Sequence, residues 1–131
     1  MMFVDTSVVV AILSGEDDAA YWSTRIEEAP TRLTSALVML EAAMRLSTKL
    51  GIDPKEIEEI IAAFLAQGQI EIAPIGFDEG RLAIQAFSIY GKGRGNPAQL
   101  NLADCLSYAC AKARGIPLLY KGNDFSHTDL R

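Results

Sequence analysis

The sequence predicts an α/β fold of three layers, in which helices cover both faces of a central, mostly parallel sheet of four to five strands. Three observations lead to this prediction. Short apolar runs alternate with helical patterns along the whole chain. The first and last runs are apolar without alternation, as expected for strands buried on both faces. Half of the 131 residues are hydrophobic, so residues 1–131 are expected to form a single domain with a sizeable core.

The first strand is predicted at Phe3 and Val4 and closes at Asp5. Thr6 and Ser7 follow at once, and small hydroxyl residues favour the start of a helix. In open α/β sheets the ligand crevice lies beyond the carboxyl ends of the strands. Asp5 is therefore either a helix cap or the first carboxylate of a functional site.

Ser14-Gly15 breaks the helix that follows Asp5, and two further helices and a short strand are predicted after it. The first of these two helices starts at the acids of residues 16–18 and ends at Pro30. Residues 31–34 form the strand, and residues 35–50 form the second helix, which Gly51 closes. The second helix is apolar nearly all round, and this composition predicts that it is buried.

One polar stripe interrupts the second helix and consists of Glu41, Arg45 and Thr48. The spacing of Glu41 and Arg45 allows an exposed ion pair that adds a few tenths of a kcal/mol. It equally allows Glu41 to face a polar cleft, with Arg45 beside it. The sequence leaves both interpretations open.

The middle of the chain alternates helix, strand and helix. Asp53-Pro54 starts a helix whose isoleucines recur at helical spacing up to Gly68. Residues 69–75 alternate as a strand does, and the next helix runs to Tyr90. A basic, glycine-rich loop follows, and its default interpretation is a solvated connection.

The last helix and strand bring two more acids. Asn101 caps a helix predicted over residues 102–114, and Asp104 lies in its first turn, where the helix dipole favours an acid. Residues 116–120 are apolar throughout, so this strand is expected to be central in the sheet. Asp124 follows just beyond it.

Four carboxylates are expected to meet at one edge of the sheet. Right-handed crossovers bring the carboxyl ends of parallel strands together, which places Asp5 and Asp124 at that edge. Asp104 begins a helix over the same edge, and Glu41 lies in the second turn of a helix that leaves it. Packed like charges need a cation among them. All-oxygen ligands suit Mg²⁺ or Mn²⁺, which activate water for phosphoryl displacement.

Charge and composition exclude several classes of protein. A net charge of −5 argues against a basic nucleic-acid coat, although an acidic metal site lowers the net charge by itself. No apolar run approaches a membrane span, and no basic segment of a signal peptide precedes the first run. Cys105 and Cys110 are predicted to be buried free thiols, which favours a cytoplasmic location. A single histidine, His127, gives little support to a zinc site or a Ser-His-Asp triad.

A set of motifs recurs in order along essentially the whole chain. The motifs are Phe3-Val4-Asp5-Thr6-Ser7, Glu41 in its helix, Asn101-Leu102-Ala103-Asp104-Cys105, Leu118-Leu119-Tyr120-Lys121-Gly122-Asn123-Asp124-Phe125 and Thr128-Asp129. Together they resemble the PIN-domain ribonucleases, in particular the VapC toxins of bacterial toxin–antitoxin pairs. Two departures concern substrate contacts: Ala103 stands where related toxins often have glycine, and residues 95–97 lack a basic or histidine residue common there.

The resemblance implies a PIN-like fold and a metal-dependent endoribonuclease that hydrolyses RNA with a metal-activated water. Its catalytic and metal-binding quartet would be Asp5, Glu41, Asp104 and Asp124, with Mg²⁺ or Mn²⁺ as the cofactor. Thr6 and Asn123 would orient these carboxylates.

The resemblance also implies a homodimer and a VapB-like antitoxin that masks the site. Among the few cations expected to border the acidic edge, we predict RNA contacts from Lys92, Arg94, Arg45 and Lys121. For Asp129 we expect a hydrogen bond to the backbone.

Two other families with acidic sites on parallel sheets do not match. A receiver domain needs an aspartate after the third strand, where this chain has Ala73-Pro74. A haloacid-dehalogenase-type phosphatase needs a second aspartate two residues after the first, where Ser7 stands. The remaining alternative is a catalytically inactive PIN-like module that only binds a protein or RNA partner, and a metal titration would distinguish the two.

Overall fold

The computed structural model describes residues 1–130. Its elements appear in the predicted order. They are β1 (Met2–Val4), α1 (Thr6–Leu13), α2 (Ala19–Glu28), β2 (Arg32–Thr34), α3 (Ala36–Leu50), α4 (Pro54–Gln67), β3 (Ile70–Ile72), α5 (Phe77–Tyr90), α6 (Leu102–Arg114) and β4 (Leu118–Leu119).

The four strands form one parallel sheet in the order β3-β2-β1-β4. Phe3 is paired with Leu33 on one side and with Leu118 on the other, so β1 lies inside the sheet. Right-handed crossovers place α1 to α4 on one face and α5 and α6 on the other. The three-layer α/β/α architecture expected from the sequence is therefore confirmed.

The position of β4 corrects one expectation, because this strand lies at the edge of the sheet. Leu118 and Leu119 are nevertheless buried. Helix α6 packs against β4, and Phe125 from the following segment belongs to the same core. Continuous apolarity in a strand thus reports cover on both faces and does not require a central position.

Helix α3 corrects a second expectation, because it is buried on one face only. Val38, Ala42 and Leu46 lie in the core, whereas Leu40 and Met44 are 58% and 62% exposed. The Ser35 hydroxyl accepts from the Val38 amide at 3.2 Å and so fixes the start of the helix. The outer face of α3 is therefore an exposed apolar surface one position away from Glu41 and Arg45.

The strand order places Asp5 at the point where the direction in which strands are added to the sheet reverses. The chain steps from β1 to β2 to β3 in one direction, and β4 then lies on the other side of β1. Ligands of open α/β sheets bind beyond the carboxyl ends of the strands at such a switch point. Asp5 directly follows β1, and its amide donates to the Leu119 carbonyl at 3.0 Å.

Within the part of the chain that the structure describes, no helix combines the length and apolar character needed to cross a membrane.

Two isoleucines of helix α4, one buried and one exposed, provide a matched test of core packing. Ile57 is fully buried, whereas Ile60 is 41% exposed. Ile57→Ala is expected to lower the free energy of unfolding by about 2–5 kcal/mol, because it leaves a cavity that the core cannot fill completely. Ile60→Ala on the same helix should cost about 1 kcal/mol or less. Urea titrations of both variants measure the difference, and equal costs would contradict the packing described here.

Candidate active site

Asp5 is a buried carboxylate that also caps helix α1. Its Oδ2 atom accepts from the Ser7 amide at 3.1 Å and from the Ser7 hydroxyl at 2.7 Å. The side chain is buried, and this burial raises the pKa of Asp5; the Ser7 hydrogen bonds oppose the shift, and the Glu41 charge adds to it. Asp5 is therefore a helix cap and also an acid in a charged cluster.

Two serines orient Asp5; the sequence predicted only a helix start for Ser7 and no role for Ser107. Besides donating to Asp5, the Ser7 hydroxyl accepts from the Lys121 amide at 2.9 Å, so it joins α1 to the segment after β4. A side-chain hydrogen bond from Ser107, which is buried on α6, also lowers the pKa of Asp5. Ser107 lies one turn beyond Asp104, and this spacing was the one available signal. The Thr6 hydroxyl is buried and has no hydrogen-bond partner among residues 1–130.

Asp104 is held by a reciprocal cap at the start of α6. Its amide donates to the Asn101 Oδ1 atom at 2.8 Å, and its own Oδ2 atom accepts from the Asn101 amide at 3.1 Å. Burial is the main cause that raises the pKa of Asp104 to about 7, and the charges of Asp124, Asp5 and Glu41 raise it further. The charges of the other three expected acids therefore all act on Asp104.

Glu41 and Asp124 complete the cluster from more open positions. Glu41 is half-buried on α3, and its charge acts on both Asp5 and Asp104. In the described part of the chain it forms no ion pair with Arg45. Of the two interpretations of the polar stripe, the polar cleft is therefore the one that the structure supports. Asp124 is exposed in the segment after β4.

Asp129 anchors the segment that carries Asp124, and its main partners are side chains of α6 in addition to the backbone bond that was expected. Its carboxylate accepts from the Tyr108 hydroxyl at 2.6 Å and from the Lys112 ammonium at 2.5 Å, both on α6. Phe125 is buried within the same segment. The Asn123 side chain is exposed, and its backbone carbonyl accepts from the Ser126 amide at 3.2 Å and from the Ser126 hydroxyl at 2.7 Å.

The expected RNA-binding cations occupy different surroundings. Lys121 is paired with Glu16 and with Asp18, whereas Arg45 is exposed. Lys92 and Arg94 are exposed in the basic loop, and the Arg94 guanidinium lies 5.7 Å from the centre of the Phe87 ring. Pairing of Gly91 with Leu100 closes the base of this loop.

Carboxylate oxygens are the donors that the acidic cluster offers to a cation. Within residues 1–130, no three His, Cys, Asp or Glu side chains lie close enough together to enclose a metal ion. Asp5 and Asp104 are nonetheless buried with no cationic side chain of the described chain in salt-bridge contact. Carboxylate oxygens are the ligands of hard divalent cations, and Mg²⁺ usually keeps several of its waters. The residues therefore fit a hydrated divalent cation better than a tightly enclosed one.

Comparison with known proteins decides the family. The model of the PIN domain family matches residues 2–130. The chain belongs to the PIN-domain family. The ribonuclease VapC42 of Mycobacterium tuberculosis is 40% identical to this PIN domain over 130 residues, which cover 99% of this chain and 97% of that relative. Ribonuclease VapC28 of the same organism is 41% identical, with 99% and 96% covered.

Solved structures share the fold of this PIN domain. The sarcin-ricin loop cleaving toxin VapC20 of M. tuberculosis matches with a TM-score of 0.77 at 19% identity, covering all of this chain and 97% of that one. A chain from a toxin–antitoxin complex of Klebsiella pneumoniae matches with a TM-score of 0.72 at 18% identity, with 98% and 93% covered. At these identities the likeness concerns the fold alone.

The raised pKa of Asp104 predicts how the metal-free protein responds to pH. An unfolded aspartate titrates near pH 3.9. Folding favours the protonated form of Asp104, so its contribution to stability is complete below about pH 4 and is lost as the pH rises through about 7. In EDTA, the melting temperature is therefore expected to fall across this range. Asp104→Asn should weaken the fall and raise the melting temperature at pH 8 by roughly 4 °C for each kcal/mol of relieved repulsion.

Circular dichroism melts across pH measure both effects. Asp78→Asn is the matched control, because Asp78 is an exposed acid in the first turn of α5. A pH profile of Asp104→Asn that matches the parent protein would show that Asp104 is not the titrating group.

Proposed function

We propose that this PIN domain, a single domain over residues 1–131, is a metal-dependent endoribonuclease and acts in the cytoplasm as the toxin of a toxin–antitoxin pair. One observation carries the proposal: two acids are buried at the switch point of the sheet without a cationic partner among the described residues, and the charges of two more act on Asp104. The printed names of the relatives, VapC ribonucleases, support RNA as the substrate.

The quartet of Asp5, Glu41, Asp104 and Asp124 would hold Mg²⁺ or Mn²⁺. Such a cation supplies an activated water and stabilises the charge that develops on the phosphate during in-line displacement. The chain itself contributes orientation, because Ser7 fixes one oxygen of Asp5 and Asn101 fixes Asp104. Thr6 and Asn123 are proposed to orient the remaining ligands, in the way that outer residues of metal sites do.

RNA contacts are proposed for Arg45, Lys92, Arg94 and Lys121, cations that are expected to border the acidic edge. Phosphate contacts make affinity fall with salt, so these residues would dominate the salt dependence of binding.

An antitoxin is proposed to bind across α3. Leu40 and Met44 form an exposed apolar pair that flanks Glu41 in the sequence of this helix. An arginine of the antitoxin could pair in bidentate fashion with a carboxylate of the quartet and take the place of the cation. The isoleucine stripe of α4 is less suited to this role, since Ile57 and Ile61 are buried.

A homodimer is proposed to form through α5 and α6. Between these helices lies an apolar groove of about 600 Å³. Its rim includes Ile84 and Leu102, which are 68% and 76% exposed, and Phe87, which is half exposed. Large exposed apolar surfaces of this kind mark interfaces, and Lys92 is the single charged residue along the groove.

Asp5→Asn tests the proposed activity. The variant is expected to fold, because asparagine also caps helices. It should cleave RNA at least roughly 100-fold more slowly than the parent protein, because it removes a cation ligand. Cleavage of a fluorescently labelled RNA in Mg²⁺ or Mn²⁺, with and without EDTA, measures the effect.

Asp78→Asn again provides the control and should cut RNA normally. A parent protein that folds but never cleaves RNA in either metal would favour the inactive binding module. Parent-like cleavage by Asp5→Asn would remove Asp5 from the catalytic quartet.

The proposed dimer is tested by Ile84→Glu. A charge placed in the apolar groove should convert the dimer to a monomer in sedimentation velocity. Ile89→Glu, on the same helix and 55% exposed but outside the groove, serves as the control and should leave the dimer intact. Equal effects of the two substitutions would contradict an interface at the groove.

A further inference from the structure

A cleft with charged residues in its walls opens beside the acidic cluster. It has a volume of about 650 Å³ and lies between the last turns of α3 and the segment after β4. Its polar walls are formed by Ser7, Glu16, Arg45, Thr48, Lys49 and Lys121. Ser7 belongs to both places, because its hydroxyl lines this cleft and donates to the Asp5 carboxylate. The cleft therefore borders the proposed site of bond cleavage at Ser7.

The cleft concentrates positive charge on a chain that is acidic overall. Arg45, Lys49 and Lys121 line it, against the single acid Glu16. The whole chain carries 12 lysines and arginines against 17 acids. At the cleft the three cations face Glu16 and also Asp18, which pairs with Lys121, so the local balance is positive by one charge. Within residues 1–130 the Arg45 side chain has no ion-pair partner.

Glu16 holds the two lysines of the cleft in place. Its Oε2 atom accepts from the Lys49 ammonium at 2.9 Å, and its Oε1 atom accepts from the Lys121 ammonium. These hydrogen bonds, with Lys121 the larger cause, lower the pKa of Glu16 and keep it ionised. Lys121 also donates to Asp18 at 3.0 Å. Lys49 ends α3 and Lys121 follows β4, so one acid orders cations from two distant segments.

Building on the proposed RNA cleavage, we propose that this cleft binds a backbone phosphate of single-stranded RNA next to the scissile phosphate. Arg45 is the free cation that contacts the phosphate, because a guanidinium suits phosphate oxygens. Lys49 and Lys121 contribute charge, and Glu16 is a positioning residue that keeps both ammonium groups at the wall. An acidic residue thus promotes the binding of a polyanion.

Binding is measured with a fluorescein-labelled single-stranded RNA oligonucleotide of mixed sequence, by anisotropy across a salt series. Asp5→Asn is the background, so that the probe stays intact. Arg45→Ala and Lys49→Ala should each weaken binding and each reduce the slope of log K against log salt by about 0.7. Arg81→Ala removes an exposed cation that lies over the Phe77 ring on α5, and it should leave the slope unchanged.

Glu16→Gln gives the test that separates positioning from net charge. Removing a negative charge would strengthen RNA binding if overall charge decided the affinity. Because the two ammonium groups lose their shared anchor, we expect weaker binding instead. Lys49→Arg keeps the charge and should bind RNA like the background protein. Melting curves of each variant check that the fold is retained.

The outcomes separate this inference from the proposed function. Unchanged slopes in Arg45→Ala and Lys49→Ala, in a protein whose parent cleaves RNA, would overturn the cleft as a phosphate site and leave the nuclease intact. Tighter binding by Glu16→Gln would overturn its positioning role. A parent protein that binds RNA with the expected slopes but never cleaves it would refute the proposed activity alone.

Discussion

Asp5 and Asp104, two carboxylates buried without a cationic partner in residues 1–130, constrain the rest of the structure. Burial disfavours the charged form of each, and their mutual repulsion adds to the cost. A protein selected for stability alone would place apolar residues at these positions. The chain instead supports each acid with local hydrogen bonds, from Ser7 at one site and from Asn101 at the other. Loss of stability at a few positions is typical of functional sites.

Ser7 shows how the fold turns local chemistry into a long-range constraint. Its hydroxyl donates to Asp5, two residues away, and accepts from the amide of Lys121, which is 114 residues away in sequence. Together with the bond from the Asp5 amide to Leu119, this fixes the end of β4 against the start of α1. The segment that carries Asp124 therefore leaves the sheet beside Asp5, and Asp129 anchors its far end on α6.

Much of the fold was predictable because its signals are local. Caps at Asp53 and Asn101 lie where they were predicted, since capping depends on a few adjacent residues. The edge position of β4 was not predictable, because its apolar run reports burial, and the strand order depends on how the crossovers pack. The exposed face of α3 was not predictable for a related reason. An apolar composition does not distinguish side chains in the core from side chains on an exposed apolar surface.

The candidate site divides in the same way. The electrostatic contact of Asp104 with the other three acids was predictable, because strand ends and helix starts bring these acids to one edge of the sheet. The contacts that anchor the Asp124 segment and that order the neighbouring cleft were not, because their partners are far apart in sequence: Lys49 lies 33 residues from Glu16, and Asp129 lies 21 residues from Tyr108. The residues that orient the acids are closer in sequence: Ser7 lies two residues from Asp5, and Asn101 lies three residues from Asp104.

The net charge of this chain is −5, so it can bind a polyanion only where its cations lie nearer to the polyanion than its acids do. At physiological salt the screening length is about 8 Å, so an RNA phosphate responds to the groups nearest to it more than to the whole protein. Cations held at the rim by Glu16 can then attract the strand while the buried acids repel it. A divalent cation among those acids would remove that repulsion where the scissile phosphate must lie. Cation and RNA should therefore promote each other's binding, and by linkage the two effects must be equal in size.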